Sequence, residues 1–146
     1  VDGQVSAIVL NSGGANCYTG PQGFQTTHAT AEAVAEKLNI SAGDVLVCST
    51  GLIGEQLDQG KLVAGVSAAS QALSATAGID AAQAIMTTDS VSKTAEHVSK
   101  DGWSIGGMAK GAGMLAPGLA TMLVVITTDA DLSAELHARG GEAPRL

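Results

Sequence analysis

Short runs of β-branched and aliphatic residues, separated by a helical pattern, constrain the fold more than any other feature of this sequence. Ser6–Leu10 and Val45–Cys48 are two such runs, and each stops at residues that favour turns. Met122–Thr127 is the strongest strand signal in the chain. Between the first two runs, side chains recur at helical spacing over residues 24–38, with an apolar face of Phe24, Ala31, Val34, Ala35 and Leu38. The pattern predicts a mixed α/β fold whose strands are mostly buried.

The middle of the chain predicts further elements, and its end does not. Residues 59–75 predict a second helix, residues 81–86 a short helix or turn, and residues 94–98 with 103–108 a hairpin. One face of the second helix would carry Leu62, Val66, Ala69 and Leu73, with Gly78 beyond its end. From residue 131 onward no core pattern remains, so we expect residues 131–146 to form a loose, atypical tail. Residues 1–130 are predicted to form a single folding unit.

Composition and charge argue against several classes of function. The hydrophobic fraction of 45% supports a sizeable core, but aromatics are only 2%, so small and aliphatic side chains must build it. A net charge of −7 leaves no basic stripe for phosphates, and we expect no nucleic-acid partner. No apolar run is long enough to span a bilayer, and we expect a cytoplasmic protein. Because Val1 is not a start methionine, we also expect the chain to be an internal fragment.

Residues that commonly form metal or redox sites are sparse. Cys17 and Cys48 are too few for a disulfide framework and lack further ligands at metal-binding spacing, so both are predicted to be free, buried thiols. His28, His97 and His137 fall in a predicted helix, a predicted strand and the tail. We therefore expect no metal site.

Glycine-rich residues 111–116 match a dinucleotide-binding pattern by letter, but Pro117 and Gly118 follow where that site needs a helix to begin. Lys110 is followed by Gly111 rather than Ser or Thr, which argues against a phosphate loop. A Ser-His-Asp triad stays open on one sequence, although no G-x-S-x-G elbow is present. Tight turns are the simplest explanation of the glycines taken alone.

Four threonines lie near turns or strand ends: Thr50, Thr87, Thr88 and Thr121. Taken singly, each is best explained as a strand or turn residue whose hydroxyl bonds locally. A functional interpretation therefore depends on a longer pattern.

Four segments carry that pattern, and in the same order they resemble the ornithine acetyltransferase family. The longest is KGAGMLAPGLATML at residues 110–123, followed by ITTDA at residues 126–130. The others are IVLNSGGAN at residues 8–16, CSTGLIG at residues 48–54 and AIMTTD at residues 84–89. The resemblance covers Ile8 to about Ala130 and implies a layered α/β sandwich of mixed sheets and helices, of the type shared with amino-terminal-nucleophile aminopeptidases.

The resemblance implies that the chain is cut between Ala120 and Thr121, so that residues 1–120 end an alpha chain and residues 121–130 begin a beta chain. Thr121 would then be the nucleophile of a ping-pong transfer of acetyl from N-acetylornithine to glutamate. A threonine hydroxyl is a weak nucleophile, and cleavage would supply the α-amine that serves as its general base.

The remaining site residues are also implied by the resemblance. Thr50, through its hydroxyl, and Gly51, through its backbone N–H, would form the oxyanion hole, where loss of one donor costs about 3 to 4 kcal/mol. Thr87 and Lys110, with Thr121, would bind substrate, Thr88 being the near alternative to Thr87. A fixed ammonium at Lys110 suits substrates that carry carboxylates.

The family further implies two associated chains in a heterotetramer or higher oligomer and no organic cofactor, with acetyl-CoA left open as a second donor. Two other hypotheses remain. One is an amino-terminal-nucleophile aminopeptidase or amidase, although that type commonly uses serine. The other is a precursor fragment or partner subunit that is inactive alone, which we expect of these 146 residues by themselves.

Overall fold

The computed structural model describes residues 4–112 and 122–133. Strands β1 (Ala7–Asn11) and β2 (Val45–Ser49) pair in parallel, with Ala7 opposite Val45 and Asn11 opposite Ser49. Helix α1 (Gly20–Leu38) and a 3₁₀ turn (Ala42–Asp44) connect them. A parallel pair needs such a crossover, because the chain must return to the same end of the sheet. The predicted α/β class is confirmed.

Helix α2 (Gln59–Gln71) packs on α1, and the main core lies between these helices and the parallel strands. Its buried members are Val34, Ala35, Val45 and Val66. Burying each valine stabilises the fold by about 1.5 to 3 kcal/mol. Asp58 begins α2 as its cap, since its carboxylate accepts the backbone N–H of Lys61 at 3.0 Å.

A second sheet is antiparallel, with strands in the order β3 (Lys93–Val98), β4 (Ser104–Lys110) and β5 (Leu123–Thr128). Helix α3 (Gly78–Ala84) contacts β3 and β4. The antiparallel pairing of β3 with β4 confirms the predicted hairpin. The predicted strand at 122–127 is also present, one residue later, but it is half exposed: Val124 and Ile126 are exposed while Leu123 and Val125 are partly covered. In an antiparallel sheet one face can stay uncovered.

Helix boundaries and faces needed correction. Helix α1 begins at Gly20, four residues before the predicted start, and Phe24 is exposed, in ring contact with His28. Val34 and Ala35 of the predicted face are buried as expected, but toward the start of α1 the buried positions are the small and hydroxyl residues Gly23, Thr26 and Thr30. The threonine hydroxyls at 26 and 30 donate to backbone carbonyls one turn earlier, which makes their burial tolerable.

Helix α2 is shorter than the helix predicted over residues 59–75. It ends at Gln71, and Leu73 lies beyond it with its side chain exposed. Ala69 is exposed as well, so only Val66 of the predicted face is fully buried. Gly78 does not follow a helix end but begins α3, three residues before the predicted start of that element.

The cysteines are free, as predicted, but the prediction that both are buried was wrong. Cys17 is exposed and Cys48 is partly buried. Cys17 lies in the loop after β1, which runs over the surface, whereas Cys48 lies within β2.

None of the helices among the described residues is long and apolar enough to cross a membrane. Over those same residues, no three His, Cys, Asp or Glu side chains are grouped so as to hold a metal ion. His137 and most of the predicted tail lie outside the described residues, and so do residues 113–116 of the glycine-rich stretch. The boundary at residue 130 stays a prediction.

Candidate active site

The carboxyl ends of β1 and β2 meet at one edge of the parallel sheet, where the loops at 12–19 and 50–58 leave side by side. Asn11 and Ser49 are opposite each other and joined by a 2.7 Å hydrogen bond from Asn11 Nδ2 to Ser49 Oγ. Beyond them Gly14 forms an isolated bridge with Thr50. The Gly54 N–H donates to the Cys17 carbonyl at 2.9 Å, which holds the outer parts of the loops together. Crevices at this edge are the usual binding sites of open α/β sheets.

Thr50 is the first residue after β2, and its side chain is completely buried. Its backbone N–H donates to the Asn11 carbonyl at 3.0 Å. Its hydroxyl, in contrast, has no hydrogen-bond partner within the described part of the chain. A buried hydroxyl without a partner costs about 1 to 3 kcal/mol, so its presence calls for an explanation.

Gly51 is held in a backbone conformation that excludes other residues. Its φ is +136°, and a Cβ at this position would lie 2.8 Å from Gly14 Cα and 3.3 Å from the Ser12 carbonyl oxygen. Glycine is therefore required for the two loops to approach this closely. The predicted oxyanion pair consists of adjacent residues at a constrained turn.

A polar network braces the first loop. The Asn16 amide donates to the Gly23 carbonyl at 3.0 Å and to Thr27 Oγ1 at 2.8 Å, and Thr19 Oγ1 donates to Asn16 Oδ1 at 2.8 Å. Asn16 and Tyr18 both have positive φ, at 48° and 59°. Sequence reasoning included Asn16 in the family segment but gave it no role.

The second part of the candidate site lies at the end of β4. Lys110 is its last residue and is only 4% exposed, although a lysine there would ordinarily be taken for a surface residue. Its ammonium donates to Thr87 Oγ1 at 2.7 Å. The bond goes to Thr87 and not to Thr88, so the two predicted substrate residues are in direct contact. Among residues 4–112 and 122–133, no carboxylate forms an ion pair with Lys110.

Asp89, which sequence reasoning left without a role, lies between these two residues. Its carboxylate accepts the backbone N–H of Gly111 at 2.6 Å, that of Thr87 at 3.3 Å, and the Lys93 ammonium at 2.6 Å. The side chain is completely buried. The hydrogen bond from Lys93, together with the Gly111 N–H, holds the pKa of this carboxyl well below its usual range.

The two parts are linked through Ser12. Its hydroxyl donates to the Ala84 carbonyl at 2.8 Å, and so ties the loop after β1 to the end of α3, three residues before Thr87. The same residue's carbonyl lies against Gly51. The structure thus connects Thr50 and Gly51 with Thr87 and Lys110 through a short series of contacts.

Ala120 and Thr121 lie outside the described residues, so the predicted cleavage bond and nucleophile are not described. The chain resumes at Met122, and Leu123 pairs with Lys110 across β4 and β5. The strand that follows Thr121 in sequence is therefore the neighbour of the strand that carries Lys110.

Comparison with known proteins gives a consistent picture. Residues 1–140 match the model of the ArgJ family. The chain is 66% identical over 133 residues to the arginine biosynthesis bifunctional protein ArgJ of Streptomyces coelicolor, which covers 91% of this chain and 34% of that protein. The ArgJ of Thermobifida fusca is 60% identical, covering 92% of this chain and 35% of that protein. The chain thus spans about a third of the length of these curated relatives.

Two solved structures are also similar. The ornithine acetyltransferase of Mycobacterium tuberculosis, complexed with ornithine, is 50% identical with a TM-score of 0.72, covering 80% of this chain and 62% of that chain. The ArgJ protein of Bacillus halodurans is 30% identical with a TM-score of 0.63, covering 80% of this chain and 61% of that chain.

Proposed function

The chain belongs to the ArgJ family, and from that premise we propose that the complete protein is a self-processing ornithine acetyltransferase of arginine biosynthesis. The observation that carries the proposal is the buried Thr50 hydroxyl, which has no partner among the described residues and stands beside a glycine that tolerates no side chain. A donor kept free at a rigid turn is what an oxyanion hole requires. Related proteins support the reaction class, since one similar structure is an ornithine acetyltransferase holding ornithine.

In the proposed mechanism Thr121 is both the processing nucleophile and the catalytic one. Cleavage of the Ala120–Thr121 bond frees the α-amine of Thr121, which accepts the proton of its own hydroxyl as the oxygen attacks the acetyl carbonyl of N-acetylornithine. The tetrahedral oxyanion is stabilised by the Thr50 hydroxyl and the Gly51 N–H. Collapse expels ornithine, whose amine takes the proton back, and leaves an acetyl ester on Thr121. The amine of glutamate then attacks the ester carbonyl and gives its proton to the α-amine of Thr121. The bond from the Thr121 oxygen to the acetyl carbon breaks, the oxygen takes that proton, and N-acetylglutamate leaves the free threonine hydroxyl behind.

Lys110 and Thr87 are proposed to bind the carboxylate of either substrate. The Lys110 ammonium is almost fully buried and its one described partner is a neutral hydroxyl, so an incoming carboxylate would supply the missing negative charge. Thr121 precedes Leu123 by two residues, and Leu123 is the strand partner of Lys110. This connectivity supports a nucleophile near the lysine.

The whole protein is proposed to be two associated chains in a heterotetramer or larger oligomer, and to need no organic cofactor. The exposed apolar face of the second sheet, formed by Ile105, Val124 and Ile126, supports packing against further protein. The curated relatives are named bifunctional, so acetyl-CoA is included as a second donor to be tested.

The test has two parts. Intact mass of the complete protein should show cleavage between Ala120 and Thr121 in the wild type and none in Thr121→Ala. The processed protein should then release ornithine from N-acetylornithine much faster when glutamate is present, and form N-acetylglutamate in equal amount. Ornithine release that ignores glutamate would favour an amidase, and a folded wild type that stays uncut would rule out the catalytic threonine.

A further inference from the structure

We propose that Asp89 is a positioning residue that fixes both Lys110 and the start of the segment leading to the Ala120–Thr121 bond. The inference deepens the proposed function and rests on it for its effect on catalysis. Its geometric part stands separately, on the three hydrogen bonds that one buried carboxylate accepts.

The two backbone hydrogen bonds hold the segment that contains Lys110 and the segment that contains Thr87 next to each other. One oxygen of Asp89 accepts from Gly111, the residue after Lys110, and the other accepts from Thr87, the hydroxyl partner of Lys110. Asp89 therefore holds the backbone on both sides of the Lys110–Thr87 contact. It also holds the chain nine residues before Ala120, where the segment leaves β4.

Lys93 neutralises the buried carboxylate through the same oxygen that accepts the Gly111 N–H. Its ammonium lies 2.6 Å from Asp89 Oδ1, while its own side chain is 44% exposed. Asp89 is thus occupied by Lys93 and two N–H groups and is not free to act as a base or to bind substrate directly. Its role must pass through the residues that it holds.

Asp89→Asn is the sharpest change, since it alters no volume. The asparagine amide can keep its single oxygen toward the Gly111 N–H. Its NH2 group then faces the Thr87 N–H, so two hydrogen-bond donors point at each other. Lys93→Met is the second variant, because it keeps both backbone bonds to Asp89 and removes the counter-ion, together with a long 3.5 Å bond from Lys93 to the Val91 carbonyl. It should shift the same measurements in the same direction by a smaller factor.

Asp129 offers a matched control at the opposite end of the same strand. Its carboxylate accepts the Ser104 N–H at 2.6 Å and the Ser104 hydroxyl at 3.0 Å, and so ties the start of β4 to the end of β5. Asp129→Asn weakens a carboxylate-to-backbone clamp of equal length, but one that does not touch Lys110 or Gly111. A purely structural effect should appear in both variants.

The first measurement is the reactivity of Lys110 toward an acetylating reagent, followed by peptide mass spectrometry in the complete protein carrying Thr121→Ala. Lys110 is buried and should be labelled slowly, with the exposed Lys61 as an internal reference. In Asp89→Asn we expect the labelling of Lys110 to rise at least several-fold while that of Lys61 is unchanged. Asp129→Asn should leave both rates at the reference values.

The second measurement is kinetic. A displacement of about 1 Å can cost about 10²-fold in rate, so Asp89→Asn should slow processing and lower kcat/KM by about 10- to 100-fold, with a rise in KM for N-acetylornithine. Asp129→Asn should leave KM and processing unchanged. If Asp89→Asn folds and leaves Lys110 labelling, processing and KM at wild-type values, the proposal is overturned.

Failure of the proposed function would look different. A wild type without processing or turnover, but with Lys110 labelling raised only by changes at Asp89 and Lys93, would reject the acetyltransferase and keep the positioning role. Should Asp89→Asn not fold, the decision passes to Lys93→Met: raised Lys110 labelling supports the role, and unchanged labelling rejects it.

Discussion

Thr50→Val replaces one hydroxyl by a methyl group of similar size at a side chain that is completely buried. The hydroxyl has no partner among the described residues, whereas the backbone N–H of Thr50 is bonded to Asn11 and is unaffected by the change. The substitution therefore removes an unmet polar group without opening a cavity. We expect it to raise stability and lower activity together.

The expected changes in stability and in activity have different physical causes. Burial of an unsatisfied hydroxyl costs about 1 to 3 kcal/mol, so valine should raise the free energy of unfolding by about that amount. If the hydroxyl donates to the oxyanion, its loss should lower kcat by about 10²- to 10³-fold. An ordinary core position would not show changes of opposite sign.

Thr30→Val is the matched control. Thr30 is 2% exposed, but its hydroxyl donates to the Thr26 carbonyl at 2.7 Å. Valine at this position breaks a satisfied hydrogen bond, and so should lower the free energy of unfolding by about 0.5 to 1.5 kcal/mol. It should leave kcat unchanged, since Thr30 lies on the buried face of α1.

Denaturant unfolding should be measured in the Thr121→Ala background, so that no difference in processing enters the comparison. Turnover is measured in the processing-competent protein. A Thr50→Val protein less stable than Thr30→Val would mean that the hydroxyl has a partner in the complete protein. Unchanged turnover in Thr50→Val would remove this residue from the oxyanion hole.

Two further predictions concern the two parts of the candidate site. Gly51→Ala should destabilise the protein by about 2 to 6 kcal/mol, because a strained φ and a backbone overlap with Gly14 each cost about 1 to 3 kcal/mol. Gly54→Ala is the control: Gly54 has φ +86° but open space around it, so the change should cost only the strain in φ. Equal losses of unfolding free energy in the two variants, measured with denaturant, would contradict the close approach of Gly51 to Gly14. Asp89 has a lowered pKa in the folded state, so it adds stability above the unfolded value of about 3.9 that is lost as the pH falls. The difference in unfolding free energy between wild type and Asp89→Asn should therefore be full at pH 7, begin to shrink below about pH 4, and go on shrinking as the pH falls toward the lowered pKa of the folded state. A difference that stays constant over this range would show that the charge is not responsible.

The bounds of the two parallel strands could be predicted closely from sequence, but the prediction that the strands are mostly buried was wrong, since Ile8 and Leu46 are exposed and only Val45 of these two strands is buried. The start and end of β1 and β2 lie within a residue of the predicted bounds, because a few β-branched residues bounded by turn formers leave little freedom. The start of α1 was missed because Gly20 and Pro21 read as turn formers. Proline is in fact well tolerated in the first turn of a helix, where its missing N–H is not needed.

The candidate site was less accessible to reasoning from pattern. Thr50, Gly51, Thr87 and Lys110 entered through the family resemblance, and local sequence alone would make Lys110 a surface residue. Asp89 was missed because its importance depends on Gly111, which is 22 residues away in sequence. No periodicity or spacing encodes such a contact, since the antiparallel sheet brings the two residues together.

The two unmet groups of the site also constrain what it can bind. The Thr50 hydroxyl is unpaired and the Lys110 ammonium lacks a counter-ion among the described residues, and both are hydrogen-bond donors. A ligand that satisfies them must present acceptors at two points, with negative charge at Lys110. Under the proposed function, the carboxylate of an N-acetyl amino acid would supply the charge in the ground state, whereas the oxyanion of its acetyl group would develop charge only during reaction. Lys110 is therefore expected to contribute mainly to binding and Thr50 mainly to the rate of acetyl transfer.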